Sequence, residues 1–254
     1  MDISIIIVNF NSLKYTKECI NSILKSRDNF KKEIIVVDNN SSDDSCRSLA
    51  DSFPDISLLP QKVNLGFARG NNIGIQKATG EYLLFLNPDT TLNDDSIPKL
   101  MDFYKQNPDT GIAAPKLRYG DGSLQLSCRA FYNLRTILSR RLLPGIGRNL
   151  ADKHLMKDWA HDQVKQVDWV LAACMLIRRD IMEKLGCFDG NYRLYFEDVD
   201  LCYRMKLAGY IVYYYPFCEV IHHHQRDSAK GFSMKTLWHI RSMIRFFNKF
   251  GWKF

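Results

Sequence analysis

Short apolar runs alternate with segments of helical spacing over the first hundred positions, and this alternation most constrains the fold. Residues 3–8 form a β-branched run, which predicts a parallel strand covered on both faces. The next segment repeats apolar residues at helical spacing, at Tyr15, Cys19, Ile20, Ile23 and Leu24. Strands that alternate with helices predict an α/β fold with a right-handed, doubly wound parallel sheet. Ligands of such sheets bind at the carboxyl ends of the strands.

The same alternation continues to about residue 110. Further strands are predicted at residues 33–37, 56–59 and 82–86. A loop rich in Gly and Asn, residues 64–74, leads into a short helix. We therefore expect residues 1–110 to form a first half of the domain, with polar residues gathered where its strands end.

The pattern changes after residue 110 to longer strands and hairpins. Residues 167–177 are predicted as one strand, and residues 211–215 and 219–222 as two shorter ones. A helix is expected to begin at Glu197 or Asp198 and to stop at Gly209. The polar, basic stretch 135–162 is interpreted as an insertion or mobile loop. We expect one domain over residues 1–225, whose second half is 111–225, followed by a separate helix over 226–254.

Composition limits the cellular context. The chain has 254 residues, of which 46% are hydrophobic, enough for one α/β domain and a tail. Its seven cysteines are an odd number without CxxC pairing, which favours reduced thiols in a cytosolic protein. The start lacks a basic n-region, and the longest other apolar run is far below the ~20 residues that cross a bilayer. We expect a cytoplasmic protein that neither spans a membrane nor is exported.

The C-terminal stretch 226–254 is basic and amphipathic. It has seven Lys and Arg and one Asp, with apolar residues at helical spacing. Such a helix suits the anionic inner face of a plasma membrane, and it equally suits packing against the domain. Although the net charge is +7, no nucleic-acid-binding motif accompanies it, so we expect no nucleic-acid partner.

Two acidic motifs carry the chemistry. Asn87-Pro88-Asp89 ends the apolar run 82–86, and Glu197-Asp198 opens a predicted helix. A carboxylate at a strand end can hold a divalent metal on a diphosphate, and a second one can take a proton from an attacking hydroxyl. Together they suggest group transfer from a nucleotide. Simpler interpretations remain, since Asn-Pro-Asp also forms turns and acids at a helix start favour its dipole.

The chain resembles family 2 glycosyltransferases of the GT-A fold, and within them the bacterial rhamnosyltransferase-like branch. The motifs run in family order through residues 1–225. They are residues 7–11, 36–43, 64–68, 71–74, 86–90, 121–125 and 195–202.

The resemblance implies a donor site. Val8, Asn9 and Phe10 would flank the nucleobase, with the Phe10 ring available for stacking. The alternative for Phe10 is an ordinary aromatic residue of the core. Asp38 would accept the imino N–H of a pyrimidine, although an Asp at a strand end also commonly caps the next helix. Asn71 and Asn72 stand where many family members have Arg-Asn, so Arg69 is the candidate for the missing cation.

The resemblance also implies a metal and a base. Asp89 would ligate Mg²⁺ or Mn²⁺, with Asn87 contacting sugar or metal through its amide oxygen, because Asn87-Pro88-Asp89 replaces the usual Asp-x-Asp. His222 matches a position where family members often have a further metal ligand. The alternative is that residues 222–224 are a run of histidines exposed to solvent. Consecutive strand residues point to opposite faces, so residues 222–224 cannot all reach one ion. Asp198 would be the general base, and Glu197 would orient the site.

The activity implied is inverting transfer of a sugar from dTDP-L-rhamnose, or another dTDP- or UDP-sugar, to a cell-surface glycan or a polyprenyl-linked precursor. A catalytically inactive sugar-nucleotide-binding or scaffold protein of the same fold is the alternative from another class. A nucleotidyltransferase lacks support, because no Gly-rich phosphate loop with a following Arg or Lys is present.

Overall fold

The computed structural model describes residues 1–27, 29–131, 149, 151–223 and 234–252. The strands are β1 Ile3–Asn9, β2 Lys32–Asp38, β3 Ser57–Pro60, β4 Tyr82–Leu86, β5 Thr90–Leu92, β6 Thr110–Arg118, β7 Leu124–Gln125, β8 Cys128–Arg129, β9 Lys165–Gln166, β10 Trp169–Val170, β11 Cys174–Arg178 and β12 Ile211–His222. The helices are α1 Leu13–Leu24, α2 Ser45–Ser52, α3 Phe67–Lys77, α4 Ser96–Gln106, α5 Arg179–Lys184, α6 Glu197–Leu207 and α7 Met234–Phe250.

The first half forms the predicted parallel sheet. Its strand order is β3-β2-β1-β4, and all three pairings are parallel. Every residue of β1 is buried, as expected of a strand covered on both faces. Helices α1, α2 and α4 contribute to the apolar core on one face, and α3, α6 and α7 to the core on the other. The predicted α/β fold with helices on both faces is confirmed.

The sheet changes direction beyond β4. Strand β11 is antiparallel to β4, with Cys174 opposite Leu86, and the sheet continues through β6, β12 and β5. Because β4 ends where β11 begins, the loop before β11 lies at the same edge as the carboxyl ends of β1, β2 and β4. This edge is where ligands of α/β sheets bind.

Two predictions for the second half were wrong. Residues 167–177 do not form one strand, since β10 pairs with β8 in a small separate sheet and Leu171–Ala173 leave the ladder before β11 begins. The two short strands predicted at 211–222 are one strand, β12, which continues past Pro216 through a register shift between Tyr215 and Glu219. The predicted insertion at 135–162 lies partly outside the described residues.

The C-terminal helix α7 packs on the domain. Phe246 and Phe247 are fully buried in the core shared with α6, and Met243 and Phe250 pack against it. Met243, Phe247 and Phe250 belong to the apolar face that the sequence offered for either a membrane or the domain. The structure therefore supports domain packing for this face. In the part of the chain that the structure describes, no helix is both long enough and apolar enough to cross a bilayer.

Candidate functional site

The ends of β1 and β2 form a buried polar cluster. Asn9 lies opposite Asp38 in the parallel register, and both side chains are buried. Asn9 Nδ2 donates to Asp38 Oδ2 at 2.7 Å, and Asn9 Oδ1 accepts from Thr16 Oγ1 at 2.8 Å. Asp38 Oδ1 accepts from the backbone N–H of Ser41 at 2.9 Å. Because their polar atoms are paired within the protein, these two residues fix the ends of β1 and β2.

Phe10 offers the accessible surface at this edge. Val8 is nearly buried, whereas the Phe10 side chain, immediately after β1, is 46% exposed. The close packing of α3 explains the position of Val8, since a Cβ on Gly70 would meet the Val8 side chain at 2.8 Å. An exposed aromatic ring beside a buried carboxylate is an arrangement suited to stacking on a nucleobase.

The Asn pair on α3 makes structural hydrogen bonds. Asn71 is buried and donates from Nδ2 to the carbonyl of Phe67 at 3.0 Å. Asn72 donates to the carbonyl of Phe188 at 2.8 Å and accepts from its N–H at 3.0 Å. Arg69 is exposed and donates from Nε to the carbonyl of Gly190 at 2.8 Å. Loop residues 188–190 are thus attached to α3 by these side chains.

Asn87, Asp89 and His222 meet at the far end of β4. His222 lies in β12 opposite Thr90 of β5, which brings it to the loop that follows β4. Its Nε2 lies 3.2 Å from Asn87 Nδ2 and 3.3 Å from Asp89 Oδ1. Its Nδ1 donates to Gln125 Oε1 at 2.8 Å. His223 points elsewhere, to Thr91 Oγ1 at 3.2 Å, as strand alternation predicts, and residue 224 lies outside the described residues.

This cluster fits a divalent cation. Gln125 Oε1 accepts from Nδ1 of His222, which leaves Nε2 as the ring nitrogen that faces the Asp89 carboxylate, 3.3 Å from Oδ1. An imidazole nitrogen and a carboxylate oxygen are both ligands that divalent cations accept. Across the described residues, no group of three or more His, Cys, Asp and Glu side chains is placed to hold a metal. The remaining ligands would be amide, diphosphate or water oxygens, which suit Mg²⁺ and Mn²⁺.

Glu197 and Asp198 begin α6 after an unusual turn. Tyr195 and Phe196 have φ angles of 64° and 71°, in the left-handed region that bulky residues rarely adopt. The two acids that follow have different environments. Glu197 is 7% exposed and its Oε2 has no hydrogen-bond partner among the described residues, whereas Asp198 is partly exposed. Asp198 is therefore the more accessible carboxylate of the two.

The loop before β11 links the two acidic motifs. The backbone of Ala172 lowers the pKa of Asp198, and the carbonyl of Ala173 accepts from the backbone N–H of Asn87 at 2.9 Å. Consecutive residues of this loop thus act on the second acid pair and on the segment that carries Asp89. The structure brings the two motifs, about a hundred residues apart in sequence, to one edge of the sheet.

The electrostatics favour proton binding at the acid pair. Burial raises the pKa of Glu197 well above its ordinary value, and the nearby Asp198 raises it further. Burial also raises the pKa of Asp198, while the hydrogen bond from the backbone N–H of Val199, the positive charge of Arg129 and the backbone of Ala172 oppose this shift. A carboxylate with a raised pKa is a better proton acceptor, which is what a general base requires.

Sequence reasoning missed Arg129 and gave Gln125 no role. Arg129 lies in β8 with its guanidinium 5.2 Å from the Trp169 ring, and its Nε is buried without a hydrogen-bond partner among the described residues. Gln125 belongs to a motif that marked the family, but only the fold shows that it contacts His222. The one sequence signal for Arg129 was its position, four residues after the motif that ends at Gln125.

Comparison with known proteins identifies the family of the chain. A family model described as glycosyl transferase family 2 matches residues 4–186. The chain is 29% identical over 209 residues to an N-acetylglucosaminyl-diphospho-decaprenol L-rhamnosyltransferase of Mycobacterium tuberculosis, covering 78% of this chain and 68% of that protein. It is 27% identical over 250 residues to the rhamnosyltransferase WbbL of Escherichia coli, covering 95% of this chain and 91% of that protein.

Solved structures share the fold at low sequence identity. GalNAc-T7, solved with UDP, GalNAc and Mn²⁺, superposes with a TM-score of 0.73 at 15% identity, over 96% of this chain and 48% of that one. The mannosyltransferase PcManGT of Pyrobaculum calidifontis, in complex with GDP-Man and Mn²⁺, gives a TM-score of 0.65 at 17% identity, over 97% of this chain and 63% of that one. This likeness identifies the fold as GT-A.

Proposed function

The chain belongs to glycosyl transferase family 2 and is a glycosyltransferase, and we propose that it transfers L-rhamnose from dTDP-L-rhamnose with inversion at the anomeric carbon. The names of the two relatives support rhamnose as the sugar. The decaprenol-linked substrate in one of those names supports a polyprenyl-linked or cell-surface glycan as the acceptor.

The nucleotide binds at the carboxyl ends of β1 and β2. Phe10 stacks on the base with its exposed ring, and Val8 and Asn9 form the strand end beneath it. Asp38 already accepts one hydrogen bond on each oxygen and holds Asn9 in place. Each oxygen has a further lone pair, and one of these accepts the imino N–H of the pyrimidine. Asn71 and Asn72 act indirectly in this proposal, by fixing α3 and the Phe188 loop.

The diphosphate binds at the end of β4. Asp89 and His222 would hold a divalent metal there, and the Asn87 amide oxygen would be a ligand of the metal or the sugar. The metal would supply positive charge to offset the negative charge that develops on the departing nucleotide. Gln125 keeps the Nε2 lone pair of His222 directed at the site through its bond to Nδ1.

Asp198 is the general base. The observation that carries this assignment is its position: it is the partly exposed acid of the pair, and it is tied through Ala172 and Ala173 to the segment that carries Asp89. Its carboxylate takes the proton of the acceptor hydroxyl as that oxygen bonds to the anomeric carbon and the bond to the diphosphate breaks. One displacement of this kind inverts the anomeric centre. Glu197, which is buried, orients the turn.

A location at the inner face of the plasma membrane suits a polyprenyl-linked acceptor. All seven cysteines are free, as expected in a reducing compartment. Contact with an anionic surface would use the outer side of α7, where Arg241 is exposed beside Ile244. Reversible sedimentation with anionic vesicles, weakened by salt, tests this contact.

The decisive experiment replaces Asp198 with Asn. This change keeps the shape of the side chain and removes the basic oxygen, so turnover should fall by ~10² to 10⁴. Calorimetry should show unchanged affinity for dTDP, because the lost interaction matters only as the proton moves. The exposed Asp102 on α4 provides the matched control, Asp102→Asn, which should retain full turnover.

The donor is tested with the wild-type protein. Transfer or slow hydrolysis should occur with dTDP-rhamnose, and dTDP should bind more tightly than ADP. Equal affinity for ADP and dTDP would contradict the donor assignment. Absence of both transfer and hydrolysis with a full panel of nucleotide sugars, together with tight dTDP binding, would favour the catalytically inactive alternative.

A further inference from the structure

The segment that carries the acid pair needs support from outside itself. Residues 189–200 include Glu197, Asp198 and the two left-handed residues Tyr195 and Phe196. Neither of these bulky residues adopts such a backbone readily, so the surrounding structure has to hold it. The direction in which α6 begins, and with it the position of Asp198, depends on this turn.

Helix α7 contacts this turn directly. Ser242 Oγ donates to the carbonyl of Leu194 at 2.9 Å. The His239 ring lies 5.2 Å from the Tyr195 ring and 5.6 Å from the Phe196 ring, measured between centroids. Phe246 packs on Phe196 at 5.5 Å. Three successive residues before the acid pair are thus held by one face of α7.

A partly buried ion cluster joins the two ends of the segment. Lys249 Nζ donates to Asp189 Oδ2 at 3.0 Å and to Asp200 Oδ2 at 2.6 Å. Asp200 is fully buried and also accepts from Arg204 Nε at 2.6 Å and from Tyr192 Oη at 3.2 Å. A single ammonium on α7 therefore connects the first and last residues of the segment 189–200.

We propose that α7 is a brace for the catalytic turn, and that Lys249 is a positioning residue that sets the place of Asp198. The proposal rests on the role of Asp198 in the proposed function. None of the α7 contacts described above includes Phe10, Asp38 or Asn87. Loss of the brace should therefore affect the proton-transfer step and leave nucleotide binding unchanged.

The test compares Lys249→Met with Lys249→Arg. The Met variant keeps most of the apolar stem and removes the charge, so kcat should fall by roughly tenfold or more, since small misplacements of reacting groups have large effects. The affinity for dTDP should stay at the wild-type value. The Arg variant restores a cation and should recover most of kcat. Lys206→Met is the matched control, because Lys206 lies on α6, is 62% exposed and pairs at the surface with Asp168.

A second measurement covers the case in which Lys249→Met does not fold. Ser242→Ala removes one hydrogen bond to Leu194 and should also lower kcat without changing dTDP affinity. Both variants should speed amide hydrogen exchange in residues 192–198 relative to Lys206→Met. If kcat and exchange stay at control values in the folded variants, α7 is not a brace. If the wild type transfers no sugar, the proposed function fails, and the exchange measurement still decides the inference.

Discussion

Glu197 provides a test of the buried acid pair that does not depend on activity. Glu197 is 7% exposed, and its Oε2 lacks a hydrogen-bond partner among the described residues. Burial, followed by the neighbouring Asp198, raises its pKa in the folded protein. Glu197→Gln keeps the size of the side chain and cannot ionise. The two proteins should therefore differ in how their stability depends on pH.

The sign follows from proton linkage. A folded-state pKa above the unfolded value means that the folded protein holds a proton that unfolding releases. Stability from this group is therefore full below the unfolded pKa and falls as pH rises toward the folded pKa. Each unit of difference between the folded and unfolded pKa corresponds to ~1.4 kcal/mol of unfolding free energy. A one-unit shift therefore makes the wild type lose about 1.4 kcal/mol of stability as the pH rises, and the Gln variant keeps it.

The assay is urea unfolding of both proteins at pH 4 and pH 9. At pH 4, below the unfolded pKa, the two free energies of unfolding should nearly agree; at pH 9 Glu197→Gln should be the more stable by about 1.4 kcal/mol or more. Glu183→Gln, on α5 with the side chain 56% exposed, is the control. A difference between wild type and Glu197→Gln that does not change with pH would refute the assignment of a protonated, buried Glu197. Turnover should fall less than in Asp198→Asn.

Two further predictions concern Arg129, whose charge acts on Asp198, and Gln125, which bonds to His222. Arg129→Met removes the positive charge that lowers the pKa of Asp198, so the acid limb of the pH profile of kcat/KM should move to higher pH. If the limb does not move, the Arg129 charge does not act on the catalytic base. Gln125→Leu removes the partner of His222 Nδ1 and should weaken Mn²⁺ binding in the presence of dTDP by about tenfold to a hundredfold, measured by electron paramagnetic resonance. The exposed Gln76→Leu should leave Mn²⁺ binding unchanged, and chelator should abolish transfer by wild type.

The first half of the fold was predictable because its signals are local. Each strand there is a short apolar run and each helix has its own amphipathic stripe, so β1, β2 and β4 appear within one or two residues of their predicted bounds. Parallel strands necessarily end at one edge, which places Asn9, Asp38 and Asn87 together without further information. The predicted start of α6 at Glu197 and its stop before Gly209, whose φ is 82°, also rested on local signals.

The rest depended on contacts between distant parts of the chain. Periodicity showed that α7 has an apolar face but not what covers it, and the Asp189–Lys249–Asp200 cluster joins residues up to sixty positions apart. Family position alone placed Asn72 in the donor site, whereas its amide is occupied by the backbone of Phe188. The donor-binding, metal and catalytic roles of the named residues stay predictions.

The reversal of strand direction between β4 and β11 explains how one edge can serve both parts of the reaction. Inversion in a single displacement requires the base and the departing diphosphate on opposite sides of the transferred sugar. In the proposed mechanism the residues that would bind the diphosphate follow β4, and the proposed base begins α6, so the two are carried by different elements. Ala173, just before the antiparallel strand, accepts from the backbone N–H of Asn87, and the neighbouring Ala172 lowers the pKa of Asp198. A fully parallel sheet would begin its next strand at the opposite edge, so the antiparallel β11 is what allows this loop to fix the base relative to the metal site.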